Sequence, residues 1–397
     1  MITHDLPRPG LSGLGQLRPD RPDSDLPRPE ASARPPSSRG APEPGLNPRQ
    51  SSPQVPPQAG PIGVIGLGSY LPATVRDNRT VGSPAGVSAQ WIAERTGVRQ
   101  RHVAAPGEAA SDLAAGAVRA ACTAAGLLPE QLGLLVLATS TPDELGPATA
   151  CRVQAAIGAS RAVALDVSAA CSGWLFAARV AHDWLRASPE AGYAAVVGVE
   201  AYSKFVDPTD RATAVLFADG AAATILGPVP EGTGFAEFHL GSDGGGAHHV
   251  LIPSGGSRRP ASPASTADGG HHIHMDGRAV RDFISEVFPR LVAESLARHR
   301  LTVADIDAFI THQPNPVLLR SLGERIGIPG PRLHITGDRV GNIGAASTPF
   351  ALTDAAARGL LPAKGRVLLC VFGAGLTWGS SLLTWSGAPA CQVVGAA

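Results

Sequence analysis

The chain has 397 residues with no formal net charge, 44% of them hydrophobic and 17% charged, enough for one large core or two fused ones. Balanced charge gives no electrostatic footprint for nucleic acid or a membrane surface. Apolar runs such as "LGLLVLATS" (132–140) and "RVLLCVFGAG" (366–375) are too short to span a bilayer.

The first 60 residues carry 14 of the 36 prolines and no Phe, Trp or Tyr. Such a segment buries too little apolar surface to offset its ordering entropy, so 1–60 is expected to be a disordered extension. Its start, "MITHDLPRPG", lacks the basic region and apolar run of a secretory signal. PxxP spacing could also serve a peptide-binding module, but a disordered tail is the plainer reading. From residue 61, β-rich apolar runs alternate with alanine-rich helical stretches. Strands are expected at 62–68, 133–139, 162–167, 194–199, 221–226, 307–311, 332–336, 366–371 and 380–385. Helices are expected at 88–96, 110–126, 147–157, 172–187, 278–299, 315–327 and 344–358. This alternation predicts an α/β fold with mostly parallel, buried sheets.

A pattern recurs along the chain. "LLPEQLGLLVLATSTPD" (127–143) and "LTVADIDAFITHQPNP" (301–316) both run from a connection through a strand into a polar loop. "AVALDVSAACSGW" and "RLHITGDRVGNIGAAS" both run from a strand into a small-residue turn opening a helix. Two duplicated halves follow, 61–232 and 276–386, joined by a Gly/Ser/His-rich surface excursion at 233–275 and ending in a tail at 387–397.

Five cysteines, at 122, 151, 171, 370 and 391, are odd in number and sit mostly in apolar segments. They fit reduced thiols in a cytoplasmic protein better than a disulfide framework. "GVIGLGSYLP" is not GxGxxG and lacks the acidic residue of a dinucleotide site. "HHIHMDG" (271–277) and His248-His249 lack accompanying metal-ligand spacing and read as a solvated loop, with no metal expected.

Cys171, His312 and Asn342 each follow a predicted strand, where open α/β sheets build their sites. A cysteine at a helix start would have its thiolate stabilised by the dipole and free N–H groups. Alone, Cys171 is as well explained by core filling, His312 by a structural hydrogen bond and Asn342 by turn chemistry. Three such residues at three strand ends favour a site.

In six ordered motifs the chain resembles the β-ketoacyl-acyl-carrier-protein synthase III family, initiating condensing enzymes of the thiolase fold. They are "WIAERTGVRQRHVAAPGE" (91–108), "DVSAACSGW" (166–174), "VDPTDRATAVLFADGAAA" (206–223), "THQPN" (311–315), "GNIGAAS" (341–347) and "FGAGLTWGSSLL" (372–383). The resemblance spans about 62–386 and implies two βαβαβ-type halves in an α/β/α/β/α layered core, normally a homodimer. It implies that Cys171 accepts an acyl group from acyl-CoA and that His312 and Asn342 bind the thioester carbonyl of malonyl-acyl carrier protein. Decarboxylation then gives an enolate that attacks the acyl–cysteine. No cofactor beyond the two thioester substrates is implied.

By motif position, the backbone N–H groups of Cys171 and Ala374 would form the oxyanion hole, with Ala374 standing where the family has glycine. Trp91, Arg95 and Arg211 match residues that hold the adenine and phosphates of CoA, and Asn315 a residue supporting the site. Val317 replaces a basic residue that helps dock the carrier protein; Arg320 lies one turn later. Pro314 and Pro316 stiffen the loop. Gly146 stands where a bulky residue closes the acyl pocket across the dimer interface, so a starter larger than acetyl is expected. Three rivals remain: a cysteine hydrolase with Cys…His…Asn order, a thiolase-fold acyltransferase that moves the acyl group without condensation, and a non-catalytic binding or scaffold protein, disfavoured because the triad is complete.

Overall fold

A computed structural model describes residues 60–395; the expected disordered extension falls, but for its last residue, outside them. The strands are β1 (Ile62–Leu71), β2 (Thr74–Asp77), β3 (Gln100–Val103), β4 (Leu132–Ala138), β5 (Val163–Val167), β6 (Tyr193–Ala201), β7 (Asp219–Pro228), β8 (Gly234–Ser242), β9 (Val250–Leu251), β10 (His274–Met275), β11 (Ala308–Thr311), β12 (Leu333–His334), β13 (Arg366–Gly373), β14 (Thr377–Thr384) and β15 (Ala390–Val394). Two sheets dominate, in the orders β15-β1-β7-β6-β4-β5 and β12-β11-β13-β14-β8.

Setting β15 aside, the two orders are the same permutation of five strands taken in chain order. Strands β1, β4, β5, β6 and β7 of the first sheet correspond to β8, β11, β12, β13 and β14 of the second. The duplication legible in the sequence is therefore a duplication of topology. Three expectations need correction. The sheets are mixed, because β7 runs antiparallel to β1 and β6, and β14 antiparallel to β13 and β8. The second half begins at β8, inside the stretch read as a surface excursion. "GFAEFHLGS" buries Phe235 and Phe238, a short period hidden by the Gly/Ser/His composition around it. The tail contains β15, which pairs in parallel with β1 from Leu67↔Ala390 to Leu71↔Val394.

Alternation within the strands explains the layers. In β4, Leu134, Val136 and Ala138 face a central cluster, while Leu135 and Leu137 face the opposite side. In the second sheet Ile310, Leu369 and Val371 face the same central cluster, and Phe309, Leu368 and Cys370 face away. Strands buried on both faces must be apolar at every position, so their sequences read as continuous runs. The helices Gly173–Ala187 and Ser347–Ala357 fill the centre between the sheets. The second of these is buried from Ser347 through Ala355, as a helix covered on all sides must be. Helices Ala110–Ala125 and Thr149–Ile157 cover the outer face of the first sheet, and Gly277–His299 and Pro316–Arg325 that of the second. The result is the α/β/α/β/α arrangement of the thiolase fold.

This packing accounts for two cysteines. Cys122 and Cys370 are buried in the outer layers, and burial pushes the Cys122 thiol up to about 11. Among the described residues no helix is long and apolar enough to cross a membrane.

Leu369 is fully buried in the central cluster. Leu369→Ala is expected to destabilise the protein by about 2–5 kcal/mol through lost burial and the cavity left behind. Chemical denaturation measures it; a loss below about 1 kcal/mol would contradict the central-layer packing.

Candidate active site

β5 ends at Val167, and the chain turns through Ala170, a non-glycine residue at φ 45°, into a short 3-10 turn over Ala170–Ser172 and then the central helix. A positive φ at alanine is locally unfavourable. Here it lifts Cys171 out of the strand to the start of the helix. β13 ends against it: a Cβ at Gly373 would lie 2.8 Å from the Cys171 backbone nitrogen and 3.0 Å from that of Ser172, so only glycine allows this approach. Ser172 Oγ donates to Thr377 O at 3.2 Å, and Thr377 Oγ1 lies 3.1 Å from Ala169 O and 3.0 Å from Ala374 O. These contacts fix the two turns to each other. Ala374 does not take a positive φ, so its Cβ is accommodated and its N–H remains a usable donor.

His312 follows β11 and is held by its backbone N–H donating to Cys370 O at 2.9 Å. The ring is buried, edge-on to Phe372 at 5.6 Å between centroids, and Nδ1 has no partner. Burial lowers its pKa to about 3, because nothing opposite in charge offsets desolvation of the imidazolium. The imidazole is therefore neutral at any working pH. Asn342 is buried, and its Oδ1 accepts the Gly344 N–H at 2.9 Å. That bond uses the acceptor side of the amide and leaves the nitrogen to offer. Its backbone donates to Leu216 O and accepts from Ala218 N, tying this turn to the segment that leads into β7.

Cys171, His312 and Asn342 line one cavity of about 950 Å³. Trp91 and Arg95 line it too, four residues apart on helix Ala89–Thr96 and so on one face. Arg211, Ala374, Pro314, Asn315 and Val317 line it as well. Asn315 acts through backbone contacts: its Oδ1 accepts Leu318 N at 3.0 Å, capping helix Pro316–Arg325, and its Nδ2 donates to Arg95 O at 3.1 Å. Gly146 is not brought to this cavity. It is exposed, with nothing within 4 Å of where a Cβ would stand, and it belongs to the loop before helix Thr149–Ile157. Val317 is 40% exposed, and Arg320 lies 3.9 Å from Asp338.

The lowering of the thiol pKa expected from the helix start is opposed at Cys171. Burial, and next the charge of Glu200, push the thiol up to about 12; the Tyr202 hydroxyl and the cysteine's own N–H act the other way without offsetting them.

Glu200, Tyr202 and Gln313 are essential parts of this arrangement that sequence reasoning missed. Glu200 is fully buried and accepts Ser140 N–H at 3.1 Å, Thr141 Oγ1 at 2.9 Å and Ala345 N–H at 3.4 Å. A carboxylate ending the apolar strand "YAAVVGVEA" was the available signal, since such a group is almost never buried without a purpose. Gln313 donates to Thr311 O and His334 O, both at 3.0 Å, and accepts Thr336 N at 3.0 Å and Gly337 N at 3.2 Å. One buried amide thus binds the loop that carries His312 to the segment leading to Asn342.

Comparison with known proteins follows this geometry. The 3-oxoacyl-[acyl-carrier-protein] synthase III family matches residues 165–244, and the C-terminal part of the same family matches 296–385. Cys171 lies in the first stretch, His312 and Asn342 in the second. The chain is 44% identical over 326 residues to beta-ketoacyl-[acyl-carrier-protein] synthase III of Symbiobacterium thermophilum, covering 82% of this chain and 98% of the relative. It is 41% identical to acetoacetyl CoA synthase NphT7 of Streptomyces sp. strain CL190, covering 81% and 98%. The crystal structure of the synthase III of Thermus thermophilus superposes with a TM-score of 0.76 at 40% identity, over 82% of this chain and all of that one.

Gln313→Ala strands four buried backbone groups at a cost of about 1–3 kcal/mol for each one left unpaired. The variant is expected to lose at least about 2 kcal/mol on that basis, read by chemical denaturation. An unchanged midpoint would show that the loop is held by other contacts.

Proposed function

The chain belongs to the 3-oxoacyl-[acyl-carrier-protein] synthase III family, a family of transferases, and on that premise we propose that it performs a decarboxylative Claisen condensation. Cys171 takes an acyl group from acyl-CoA, releasing CoA. A malonyl thioester then loses CO2, and its enolate carbon attacks the acyl–Cys171 carbonyl to give a 3-oxoacyl thioester. One observation carries this reading: a neutral imidazole and an amide with its oxygen already engaged line the same cavity as the thiol. Two neutral donors stabilise the developing enolate oxygen without offering a positive charge that would hold the malonyl carboxylate in place. An acyltransferase that only moves the acyl group has no use for the Asn342 amide, which favours condensation over that alternative.

The remaining roles follow from chemistry. Backbone N–H groups of Cys171 and Ala374 stabilise the tetrahedral oxyanion. Trp91 stacks on the adenine of CoA, and Arg95 and Arg211 pair with its phosphates. The protein acts as a homodimer through the outer edge of β5. That strand ends its sheet, with Val163 48% exposed, and the neighbouring Leu145 is 85% exposed. Unpaired edges of this kind are usually covered. The open space at Gly146 then enlarges the partner's acyl pocket and favours a starter larger than acetyl. Within its own subunit the pocket is bounded by Tyr202, whose ring packs at a tilt against Phe217 at 4.8 Å between centroids. The product begins a fatty-acid or polyketide chain.

The extender supports a second reading. Val317 leaves the carrier-docking position without charge, and Arg320 has Asp338 beside it. Malonyl-CoA in place of malonyl-carrier protein fits this surface, and a relative 41% identical bears the name acetoacetyl CoA synthase.

Four measurements check these readings. Asn342→Asp is expected to spare the acyl adduct on Cys171, seen by intact mass, and to block its discharge by a malonyl thioester; equal loss of both half-reactions would contradict the assigned role. In steady-state kinetics with an acyl-CoA panel, a clear preference for acetyl over branched and six-carbon starters would overturn the larger starter. Comparing malonyl-CoA with malonyl-carrier protein decides the extender. Because His312 is neutral above about pH 3, discharge of the acyl-enzyme is expected to show no His titration near the ordinary imidazole pKa of about 6.5.

A further inference from the structure

The mouth and the floor of the cavity differ in charge. His312 and Asn342 are buried and Cys171 half-buried, whereas Arg95, Arg211 and Arg281 line the same cavity as exposed residues. Among the described residues, no aspartate or glutamate lines it. Guanidinium groups gathered without a carboxylate suit a ligand that carries several negative charges. Arg95 and Arg211 have roles in the reading above; Arg281 has none.

Helical periodicity puts Arg281 on the cavity. Along helix Gly277–His299, the residues Gly277, Val280, Arg281 and Ile284 recur one and two turns apart and line the cavity together. Ile284 is 4% exposed and the Arg281 side chain 61%, so this face of the helix runs from the core out to the rim. An arginine suits such a position, its stem covering apolar wall while its head stays in water. Helix Pro316–Arg325 packs against this helix and also against Ala89–Thr96, which carries Arg95. Its own cavity residues, Val317, Leu318 and Ser321, are uncharged. The two flanking helices thus present cations on either side of a neutral one. Arg281 Nε and Nη2 donate to Oδ1 of the adjacent Asp282 at 3.3 and 3.2 Å, and both side chains are largely exposed. Such a pair is weak in water and leaves the guanidinium able to exchange it for a phosphate.

We propose that Arg281 is a third phosphate contact for CoA, and that with Arg95 and Arg211 it selects thioesters carried on free CoA. The proposal rests on the condensing-enzyme reading above. CoA bears a diphosphate and a ribose phosphate, three phosphate groups in all. A carrier protein presents the same pantetheine arm on a single phosphodiester. A rim of three guanidinium forks therefore matches CoA more fully than it matches the carrier-borne arm. Val317, exposed between the flanking helices, adds no charge for an acidic protein surface. Arg281 makes no contact with the reacting atoms; it acts on capture of the thioester, which is read in the second-order rate constant.

Acylation of Cys171 by butyryl-CoA, followed by intact mass at low ionic strength, tests this with Arg281→Met and Arg281→Glu. The second-order rate constant is expected to fall at least about threefold in Arg281→Met, as for loss of one exposed ion pair, and further in Arg281→Glu. Added salt is expected to close the gap, because it screens exposed charges. With butyryl-pantetheine, which lacks all the phosphates, both variants are expected to match the wild type. An unchanged rate with butyryl-CoA, or an equal fall with butyryl-pantetheine, would overturn the phosphate contact. So would a loss confined to discharge by malonyl-carrier protein, which would make Arg281 a carrier-docking residue. No adduct on wild-type Cys171 with any acyl-CoA would instead overturn the condensing reading on which the proposal rests.

Discussion

Glu200 is a fully buried carboxyl whose hydrogen bonds come from both halves of the molecule: Ser140 and Thr141 from the loop after β4, and Ala345 from the turn that opens the second central helix. Burying a carboxyl is costly unless its lone pairs are filled, so the two halves are held in the one arrangement that fills them. The backbone at Gly344 must pass close to both Glu200 and Tyr202, where no side chain fits. Asn342, two residues earlier, is oriented by the same turn through the Gly344 N–H. The position of the Asn342 amide thus depends on the hydrogen bonding of a carboxyl in the other half.

Pseudo-symmetry places the rest. Cys171 follows β5 and Asn342 follows β12, the third strand of each repeat; His312 follows β11, and the donors around Glu200 follow the equivalent strand β4. Each strand end has kept its place, but the halves have divided the work. The first supplies the Cys171 thiol and the Glu200 carboxyl, the second the His312 ring and the Asn342 amide.

Burial then sets the chemistry. Desolvation penalises charged forms. It raises the Cys171 thiol and the Glu200 carboxyl and lowers the His312 imidazole. All three shifts favour neutral groups in the cavity, which suits stabilisation of a charge that appears only during reaction. The same effect that makes His312 a good neutral donor makes Cys171 a reluctant thiolate.

The apolar period along β4, β11 and β13, the small residues before Cys171 and the polar loops after each strand were legible in the sequence, because layered burial and strand-to-helix turns restrict residue type locally. They determined the α/β class, the duplication, and Cys171, His312 and Asn342 as a group. β8 and β15 were not legible: one is half-exposed and set beside a stretch of glycine, serine and histidine, the other is an edge strand whose partner β1 lies more than 300 positions earlier. Nor could the sequence show that Gln313 joins two segments, that Glu200 answers donors from both halves, or that burial and the Glu200 charge raise the Cys171 thiol. Those depend on which groups distant segments bring within hydrogen-bonding reach, and on how much water they exclude. Only the tertiary structure decides that.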